Sequence, residues 1–544
     1  MKFMKVIQAL LLVLVLAIST QVFAQEAPAM TDEEMTKATN IFFDRCAGCH
    51  GVLRKGATGP NITPQHFADD GKGIEYIKAV IFGGLPGGMP DWGRQGILND
   101  EERDLMARFV LNEPPAPPVW EFSSIKDSWE LLVPVEDRPT EPQSQRNWEN
   151  YIGVILRDVG KAAIIDGDTK ELVTIVPTGY ATHILRSSKS GRYFYVIGRD
   201  GKASMIDLYM DPPQTVAKVR PCLDARSIES SKFEGFVDKY AVVGCYWPSA
   251  FVVFDGLTLE PLKMVSSISY VKSQGELVQE ARVASIVASE DSPEWILNVK
   301  ESGQTWFVDY RDVGKNGHPL SITMIDTERY LHDGGWANNK RYFIVAANAV
   351  DKLVVIDPKT REHIATVEAG TKPHPGRGAN WVNSKLGPVW ATGNIGSPEV
   401  TVVGVDPVGH PDQAWKAVKR IEMPYTGTLF IKAHDASPWV ITDFTVSSNP
   451  KGSTSLCAIG KESLEVEKCW QVPGATDIKS RMVHIEFTKD GSEFWVSAWA
   501  NKETPSFIVV YDSQTLEEKA RITGDWVLTP TGKFNVYNTA NDIY

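Results

Sequence analysis

One short pattern recurs eight times between residues 164 and 517 of this 544-residue chain. Each copy consists of an apolar pair, an aspartate and a turn, and several copies continue as Thr-x-Glu or Leu-Glu. The copies are centred on Asp166, Asp207, Asp255, Asp309, Asp357, Asp406, a degenerate Gly460, and Asp512. Their intervals of roughly 41 to 54 residues match the length of one four-stranded blade. The pattern therefore predicts an all-β, eight-bladed propeller over residues 146–544, with seven blades as the closest alternative.

The sequence around these copies agrees with a propeller. It contains short apolar or alternating runs separated by turns, and no convincing long helix. We expect each aspartate to cap a hairpin turn, and the radial repetition of blades to hide the strand edges. Residues 526–544 are expected to supply the strand that closes the ring.

The N-terminal part has a different character and contains a CxxCH motif, from Cys46 to His50. In such a motif the two thiols attach haem c through thioether bonds, and the histidine is the proximal iron ligand. Cys46, Cys49 and His50 are therefore the candidate attachment and metal-ligating residues. The alternatives are a chance occurrence of the motif and one half of a zinc site.

Two helix N-termini flank the motif and predict a small all-α domain. Thr31 and Asn99 are each followed by acidic residues, the pattern of an N-cap with acids in the first turn. This layout is typical of a class I cytochrome c domain, which we place at residues 25–113. In the Gly/Pro-rich loop between the helices, Met89 is the candidate distal iron ligand and Trp92 a candidate cofactor contact. The alternative is an ordinary loop methionine.

Residues 1–24 have the features of a secretory leader. Lys2 and Lys5 precede an apolar stretch, and a small-residue cleavage site ends at Ala24. The stretch is too short for a comfortable membrane span, and no later segment resembles one. We therefore expect an exported, soluble protein in the periplasm, with the leader removed near Ala24.

Charge and proline content add two further expectations. The net charge of −12 argues against nucleic acid or an anionic membrane surface as a partner. The segment Pro114–Pro118 cannot continue a helix and is expected to be stiff and extended. We place a linker at residues 114–145, between the cytochrome c domain and the propeller.

Four cysteines remain outside the CxxCH motif. They fall in two pairs, Cys222 with Cys245 and Cys457 with Cys469. In an oxidising compartment each pair could form a disulfide, and the second pair could face each other across a hairpin. Four inert buried thiols are the open alternative.

A second candidate site consists of histidines and arginines in the propeller sequence. The histidines lie beside loops and not on apolar strand faces; they are His183, His332 and His374. The arginines adjoin Gly or Asp turns in several cases; they are Arg157, Arg186, Arg199, Arg226 and Arg377. Because guanidinium binds carboxylate in a bidentate manner, such a set around an axial cavity indicates a polycarboxylate or phosphate site. The alternative is salt bridging between blades.

Five segments together resemble the haem-c/haem-d1 nitrite reductases, the cytochrome cd1 family, and the resemblance covers essentially the whole mature length. The segments are 45–59 around the CxxCH motif, 197–202, 331–335, 372–380 and 529–538. The resemblance implies a second, non-covalent macrocycle, haem d1, on the propeller axis, with His183 as its proximal iron ligand. The five arginines, Tyr246 and Thr531 are implied to line the pocket. His332 and His374 are implied to be the distal, catalytic pair.

The resemblance also implies a function and partners. The expected reaction is the one-electron reduction of nitrite to nitric oxide and water at haem d1, with electrons entering through haem c. Two imidazoles above the iron could hold the anion and deliver protons to the leaving oxygen. The expected partners are a small soluble donor, either a c-type cytochrome or a cupredoxin, and a second copy of the chain in a homodimer.

Two alternative functions stay open. One is an enzyme of haem d1 maturation that dehydrogenates a precursor, and the other is an electron-transfer cytochrome with a propeller that only binds a partner. The presence of both His332 and His374 favours nitrite reduction, because a maturation enzyme has less need of a paired proton source.

The chain departs from the family pattern at two points. Family members often carry an N-terminal tyrosine that can cap the d1 iron, and residues 25–45 contain no tyrosine. In addition, His484 occurs where the family tends to have glutamine.

Overall fold

The computed structural model describes residues 28–544, apart from 57–58, 86–88, 95, 118, 272–273 and 314–319. The predicted leader at residues 1–24, with its cleavage site, lies outside the described residues, as do Gly87 and Gly88 of the Met89 loop. Within the described ranges, no helix is long and apolar enough to cross a membrane.

The N-terminal part is helical, as predicted. Its helices are Asp32–Arg45, Ala47–His50, Pro64–Asp69, Ile74–Gly83 and Asp100–Leu111. Both predicted caps are confirmed: Thr31 and Asn99 each form a capping box, with Glu34 and Glu102 respectively. The first and last of these helices pack together, and Phe42 and Phe109 meet in the core at 5.7 Å between ring centroids.

Eight antiparallel sheets of the propeller type follow. We number the blades 1 to 8 and give the strands of each from the innermost outward. The first four blades are blade 1, Pro530–Asn535, Tyr151–Leu156, Lys161–Asp166 and Leu172–Pro177; blade 2, Thr182–Ser187, Tyr193–Gly198, Ala203–Asp207 and Gln214–Val219; blade 3, Asp224–Ser230, Tyr240–Trp247, Ala250–Asp255 and Pro261–Ser266; and blade 4, Val283–Ala288, Glu294–Val299, Gln304–Asp309 and Ser321–Asp326. The last four are blade 5, Leu331–Trp336, Phe343–Ala347, Lys352–Asp357 and Glu362–Glu368; blade 6, Ala379–Asn383, Gly387–Gly393, Glu399–Gly404 and Ala417–Glu422; blade 7, Ile431–Ala433, Trp439–Asp443, Ser455–Gly460 and Val466–Gln471; and blade 8, Arg481–Phe487, Glu493–Trp499, Phe507–Asp512 and Glu518–Thr523. The prediction of eight blades is confirmed, and the alternative of seven is wrong.

The recurring aspartates lie at or just after the ends of the third strands, where the chain turns into the outermost strand. Asp166 accepts hydrogen bonds from the backbone N–H groups of Asp168 and Thr169 at 2.9 and 3.2 Å. Asp255 does the same for Leu257 and Thr258, each at 2.9 Å. The predicted role in capping the hairpin turn is confirmed, and this local role explains why the repeat is visible in the sequence.

The ring closes by pairing the end of the chain with the start of the propeller. Pro530–Asn535 runs antiparallel to Tyr151–Leu156 and forms the innermost strand of blade 1. This confirms the predicted closing strand. Most neighbouring blades also contact each other through their innermost strands, so side chains from distant parts of the sequence converge on the propeller axis.

The segment predicted as a linker contains regular structure from Phe122 onward. A helix at Phe122–Asp127 buries Ile125 against blades 2 and 3, and Glu130–Leu131 pairs with the outer strand of blade 2. Short 3-10 helices follow at Val135–Asp137 and Trp148–Asn150. The apolar side chains after the prolines provide this packing. The boundaries at residues 113 and 145 remain proposals.

Both cysteine pairs outside the CxxCH motif form disulfides. Cys222–Cys245 has a Cα–Cα distance of 6.0 Å, and both residues are buried. Cys457 and Cys469 lie directly opposite each other on adjacent strands of blade 7, at 4.2 Å. The alternative of four free buried thiols is therefore wrong.

Candidate active site

A cavity of about 320 Å³ lies on the propeller axis, within the range of roughly 300 to 1,000 Å³ for ligand pockets. The cavity brings together eight of the residues singled out in the sequence: Arg157, His183, Arg186, Arg199, Arg226, His374, Arg377 and Thr531. They come from blades 1, 2 and 3 and from the segment just before the innermost strand of blade 6. Two other candidates, His332 and Tyr246, lie directly behind this wall.

His183 is the second residue of the innermost strand of blade 2. Its Nε2 atom is buried and has no hydrogen-bond partner. Burial lowers the pKa of this imidazole well below its ordinary value, and the positive charge of Arg226 lowers it further. His183 is therefore a neutral imidazole in the cavity wall, and its Nε2 atom has no hydrogen-bond partner. Such a side chain is suited to ligate the metal ion of a bound cofactor.

The arginines differ in how far protein carboxylates already neutralise them. Arg199 forms a bidentate pair with Asp224 at 2.7 Å for both contacts, and Arg157 pairs with Asp158 at 2.6 Å. Salt bridging is therefore part of their role. The buried Nε of Arg186, by contrast, has no hydrogen-bond partner.

Burial lowers the pKa of Arg186 to about 10, and the neighbouring guanidinium of Arg377 acts in the same direction. Arg186 is still charged at neutral pH, so the cavity wall carries a cation with an unsatisfied donor. This observation fits a macrocycle with carboxylate or oxo substituents, because such groups accept hydrogen bonds from guanidinium.

His332 and His374 form a close pair, with ring centroids 5.1 Å apart. The Nε2 atoms of both rings face the same carboxylate, that of Asp333, at 3.6 and 3.3 Å. Arg226 completes the cluster, with Nη2 at 3.4 Å from His332 Nε2 and 3.5 Å from Asp333. Although Asp333 adjoins His332 in the sequence, nothing there indicated that its carboxylate would lie between the two imidazoles.

The protonation state of this pair follows from its surroundings. His374 Nδ1 donates a hydrogen bond to the carbonyl oxygen of Leu429 at 2.8 Å, so this nitrogen carries the proton of the neutral ring. Burial lowers the pKa of His374, while the Asp333 carboxylate acts in the opposite direction. Burial lowers the pKa of His332 well below its ordinary value, and the positive charge of Lys300 adds to this effect.

The opposite wall of the cavity is largely aromatic and was not predicted. His484 packs between Phe430 and Phe534, with ring centroids at 4.6 and 5.1 Å. Its pKa is lowered well below the ordinary value by burial, so it contributes a neutral wall. Trp499 and Tyr544 also line the cavity, and the Tyr544 hydroxyl accepts a hydrogen bond from Trp336 N at 2.6 Å. A flat, apolar wall of this kind fits the face of a macrocycle.

The CxxCH motif also fits its predicted cofactor. Cys46 and Cys49 are free thiols. His50 is buried, and its Nδ1 donates a hydrogen bond to Pro60 O at 2.9 Å, which orients the ring and leaves Nε2 for iron. Trp92 belongs to the core of this domain, and Met89 packs against that core half-buried. The residues present therefore suit a covalently bound haem.

Comparisons with known proteins agree with this geometry. The family model "Cytochrome D1 heme domain" matches residues 146–539, and the model "Cytochrome C oxidase, cbb3-type, subunit III" matches residues 33–110. The first match covers the propeller and the second covers the helical part.

Two relatives align over nearly the whole chain. A nitrite reductase from Stutzerimonas stutzeri is 44% identical over 542 residues, which cover 95% of each chain. A dihydro-heme d1 dehydrogenase from Pseudomonas aeruginosa is 27% identical over 92% of this chain and 93% of its own. A solved structure, dihydro-heme d1 dehydrogenase NirN in complex with DHE, superposes with a TM-score of 0.69 at 26% identity, and covers 92% of this chain and 99% of that one.

Proposed function

The chain belongs to the cytochrome cd1 nitrite reductases, and we propose that it reduces nitrite to nitric oxide and water. Its cofactors are haem c and haem d1. The observation that carries the proposal is the close pair of His332 and His374. His374 lines the axial cavity together with Asp333 and Arg226, and His332 lies directly behind it. Each nitrite consumes one electron and two protons and yields one nitric oxide and one water.

We assign the cofactor contacts as follows. Cys46, Cys49 and Trp92 would hold haem c, with His50 and Met89 on its iron. His183 would ligate the iron of haem d1, with Tyr246, Thr531 and the five arginines around its periphery. When bound, haem d1 would supply the one-electron reduction of nitrite, and haem c would supply the electron that it receives from the donor. We retain the domain boundaries 25–113, 114–145 and 146–544 as part of the proposal.

The chain's own residues supply anion binding and protons. Arg226 places a positive charge beside the pair, which favours binding of the nitrite anion in the cavity. His332 and His374 are within reach of each other and can each donate a proton from Nε2 once protonated. Asp333 accepts a hydrogen bond from the protonated ring and stabilises its charge. Leu429 O holds His374 Nδ1–H, so that its Nε2 keeps facing the site.

We expect nitrite turnover to fall as pH rises, because the pair donates protons only in its charged form. Burial lowers the pKa of both rings, so both are mostly neutral above their depressed pKa values. Asp333→Asn removes the carboxylate that raises the pKa of His374, and should shift the falling limb of the pH–rate profile to lower pH. Asp406→Asn is the matched control, since Asp406 also contacts a histidine, His410, outside the cavity. An unshifted profile in Asp333→Asn would show that this carboxylate does not tune the pair.

Several finer features belong to the same proposal. We propose a periplasmic location after removal of the leader, a role in denitrification, a small c-type cytochrome or cupredoxin as donor, and a homodimer. Two disulfides support an oxidising compartment.

A dehydrogenase of the haem d1 precursor is the second candidate, because a relative with that name matches at 27% identity and its solved counterpart at a TM-score of 0.69. The identity of 44% to a nitrite reductase and the paired histidines favour nitrite reduction.

The two candidates are separated by one assay. Protein carrying both haems, reduced and supplied with nitrite, should produce nitric oxide at an electrode, whereas protein carrying haem c alone should not. The red absorption band of the d-type haem verifies loading in the same sample. A loaded protein that forms no nitric oxide but oxidises the dihydro-haem d1 precursor would establish the second candidate instead.

A further inference from the structure

The loop that carries the CxxCH motif is held by two side chains of the propeller. Glu280 accepts hydrogen bonds from the backbone N–H groups of Val52 and Leu53, the second at 3.0 Å. Arg282 donates through Nη1 to the carbonyl oxygens of Gly48 and Ala47, at 2.9 and 3.3 Å. One residue thus satisfies loop donors and the other satisfies loop acceptors. We call Glu280, Arg282 and Glu301 the loop clamp.

The clamp is largely excluded from water and is tied together by hydrogen bonds. Arg282 is 1% exposed and Glu280 is 9% exposed. The guanidinium of Arg282 binds Glu301 Oε1 through Nε and Nη2, at 2.8 and 2.6 Å, and its backbone N–H donates to the other carboxylate oxygen at 2.8 Å. The orientation of Arg282 toward the loop is therefore set from within the propeller.

Two glycines of the loop allow this close approach. A Cβ added at Gly48 would lie 2.7 Å from Arg199 Nη1, and one at Gly51 would lie 2.8 Å from Glu280 Oε2. Arg199 cannot easily yield, because Asp224 binds it through two contacts. The loop surface is thus shaped to lie against the propeller.

The clamp connects the loop to the axial cavity by direct contacts. The Arg282 guanidinium lies 4.6 Å from the centre of the Tyr246 ring, and that of Arg199 lies 5.2 Å from the same ring. Arg199 in turn lines the cavity. A contiguous set of packed side chains therefore runs from the CxxCH loop to the candidate active site.

We propose that Glu280 and Arg282 are positioning residues for electron delivery: they fix the haem c attachment loop against the propeller and set the reduction potential of haem c. The statement about electron delivery rests on the proposed function. In that function, one electron passes from haem c to haem d1 for each nitrite, and the donor protein then reduces haem c again. The two residues act through the loop, since both contact it and neither lines the axial cavity.

Because the clamp contains both charges, its variants should shift the reduction potential of haem c in opposite directions. Reduction adds one negative charge at haem c, so a nearby cation favours the reduced form and a nearby anion disfavours it. Arg282→Gln should lower the haem c potential, because it leaves the two carboxylates uncompensated. Glu280→Gln should raise it. A role confined to folding would not move the potential in opposite directions.

Both variants should also loosen the loop. In full-length protein with both haems, amide hydrogen exchange at Val52 and Leu53 should accelerate by about tenfold or more in Glu280→Gln, since one amide oxygen cannot replace two carboxylate oxygens. The same loss of docking should slow electron transfer from haem c to haem d1 by about tenfold or more, measured after rapid reduction of haem c. Exchange in helix Asp100–Leu111 reports whether the cytochrome domain is still folded.

Arg341→Gln is the matched control. Arg341 also pairs with a carboxylate, Asp357, but does so on blade 5 and away from the loop. The proposal is overturned if the clamp variants match this control in exchange at Val52 and Leu53 and in inter-haem rate, or if both shift the potential in the same direction. Exchange and potential are measured without nitrite, so a protein that makes no nitric oxide would contradict the proposed function and leave this test intact.

Discussion

Replacing His374 by Ala is expected to lower nitrite turnover by about 10²- to 10⁴-fold, the range for loss of a positioned general acid. His374 Nε2 lies 3.3 Å from Asp333, and its Nδ1 is held by Leu429 O at 2.8 Å. His332→Ala should have an effect of similar size, because its ring centroid is 5.1 Å from that of His374. The fold-loss of turnover in the double variant should be much smaller than the product of the two single fold-losses, since the pair acts as a unit.

The measurement is steady-state nitric oxide formation at saturating reductant, with both haem spectra recorded for each variant. His410→Ala is the matched control, because His410 also pairs with an aspartate, at 2.9 Å from Asp406, but lies outside the cavity. The haem c spectrum should be unchanged in all four variants. Full turnover in both His332→Ala and His374→Ala would contradict the assignment of these two residues as proton donors.

Replacing His183 by Ala is expected to abolish retention of haem d1 while leaving haem c in place. His183 has a buried imidazole nitrogen without a hydrogen-bond partner in the cavity wall. In the proposed arrangement no covalent bond would hold haem d1. Loss of His183 would remove the protein ligand that we propose for its iron. The red absorption band should be lost on gel filtration, and nitrite turnover should fall to the level of protein carrying haem c alone.

A chemical rescue separates ligation from folding in this case. His183→Gly leaves space for free imidazole, which should restore the red band in a concentration-dependent manner. The hydroxyl–hydroxyl contact of Thr178 and Thr182 beside this strand is independent of the imidazole and should maintain the local fold. Stable binding of haem d1 to His183→Ala without imidazole would contradict the assignment of the proximal ligand.

The parts of the fold with local causes were predictable from the sequence. The aspartates of the repeat bond to N–H groups two and three residues ahead, so the same spacing appears in nearly every blade. The caps at Thr31 and Asn99 have the same local character. In the linker, the prolines at 114–118 gave no sign of the helix at Phe122–Asp127, because burial of Ile125 against the propeller depends on distant strands.

The site was predictable only in part, because its geometry is long-range. Resemblance to a family identified His183, His332 and His374, and the closed ring is what brings them to one axis. The role of Asp333 depends on the approach of His374 from another blade. The clamp residues Glu280 and Arg282 had no signal at all, since their partners lie more than 220 residues away in the sequence.

The central claim is that electrons enter at the CxxCH motif and nitrite is reduced at the propeller axis. Its most direct test is a single-turnover experiment in which protein reduced at both haems is mixed with excess nitrite, while both spectra and nitric oxide are followed. We predict that nitric oxide forms and that haem c is oxidised as its electron passes inward, and that His183→Ala, which carries haem c alone, does neither at a comparable rate. Nitric oxide formation by the His183→Ala protein at the rate of the complete protein would contradict the account.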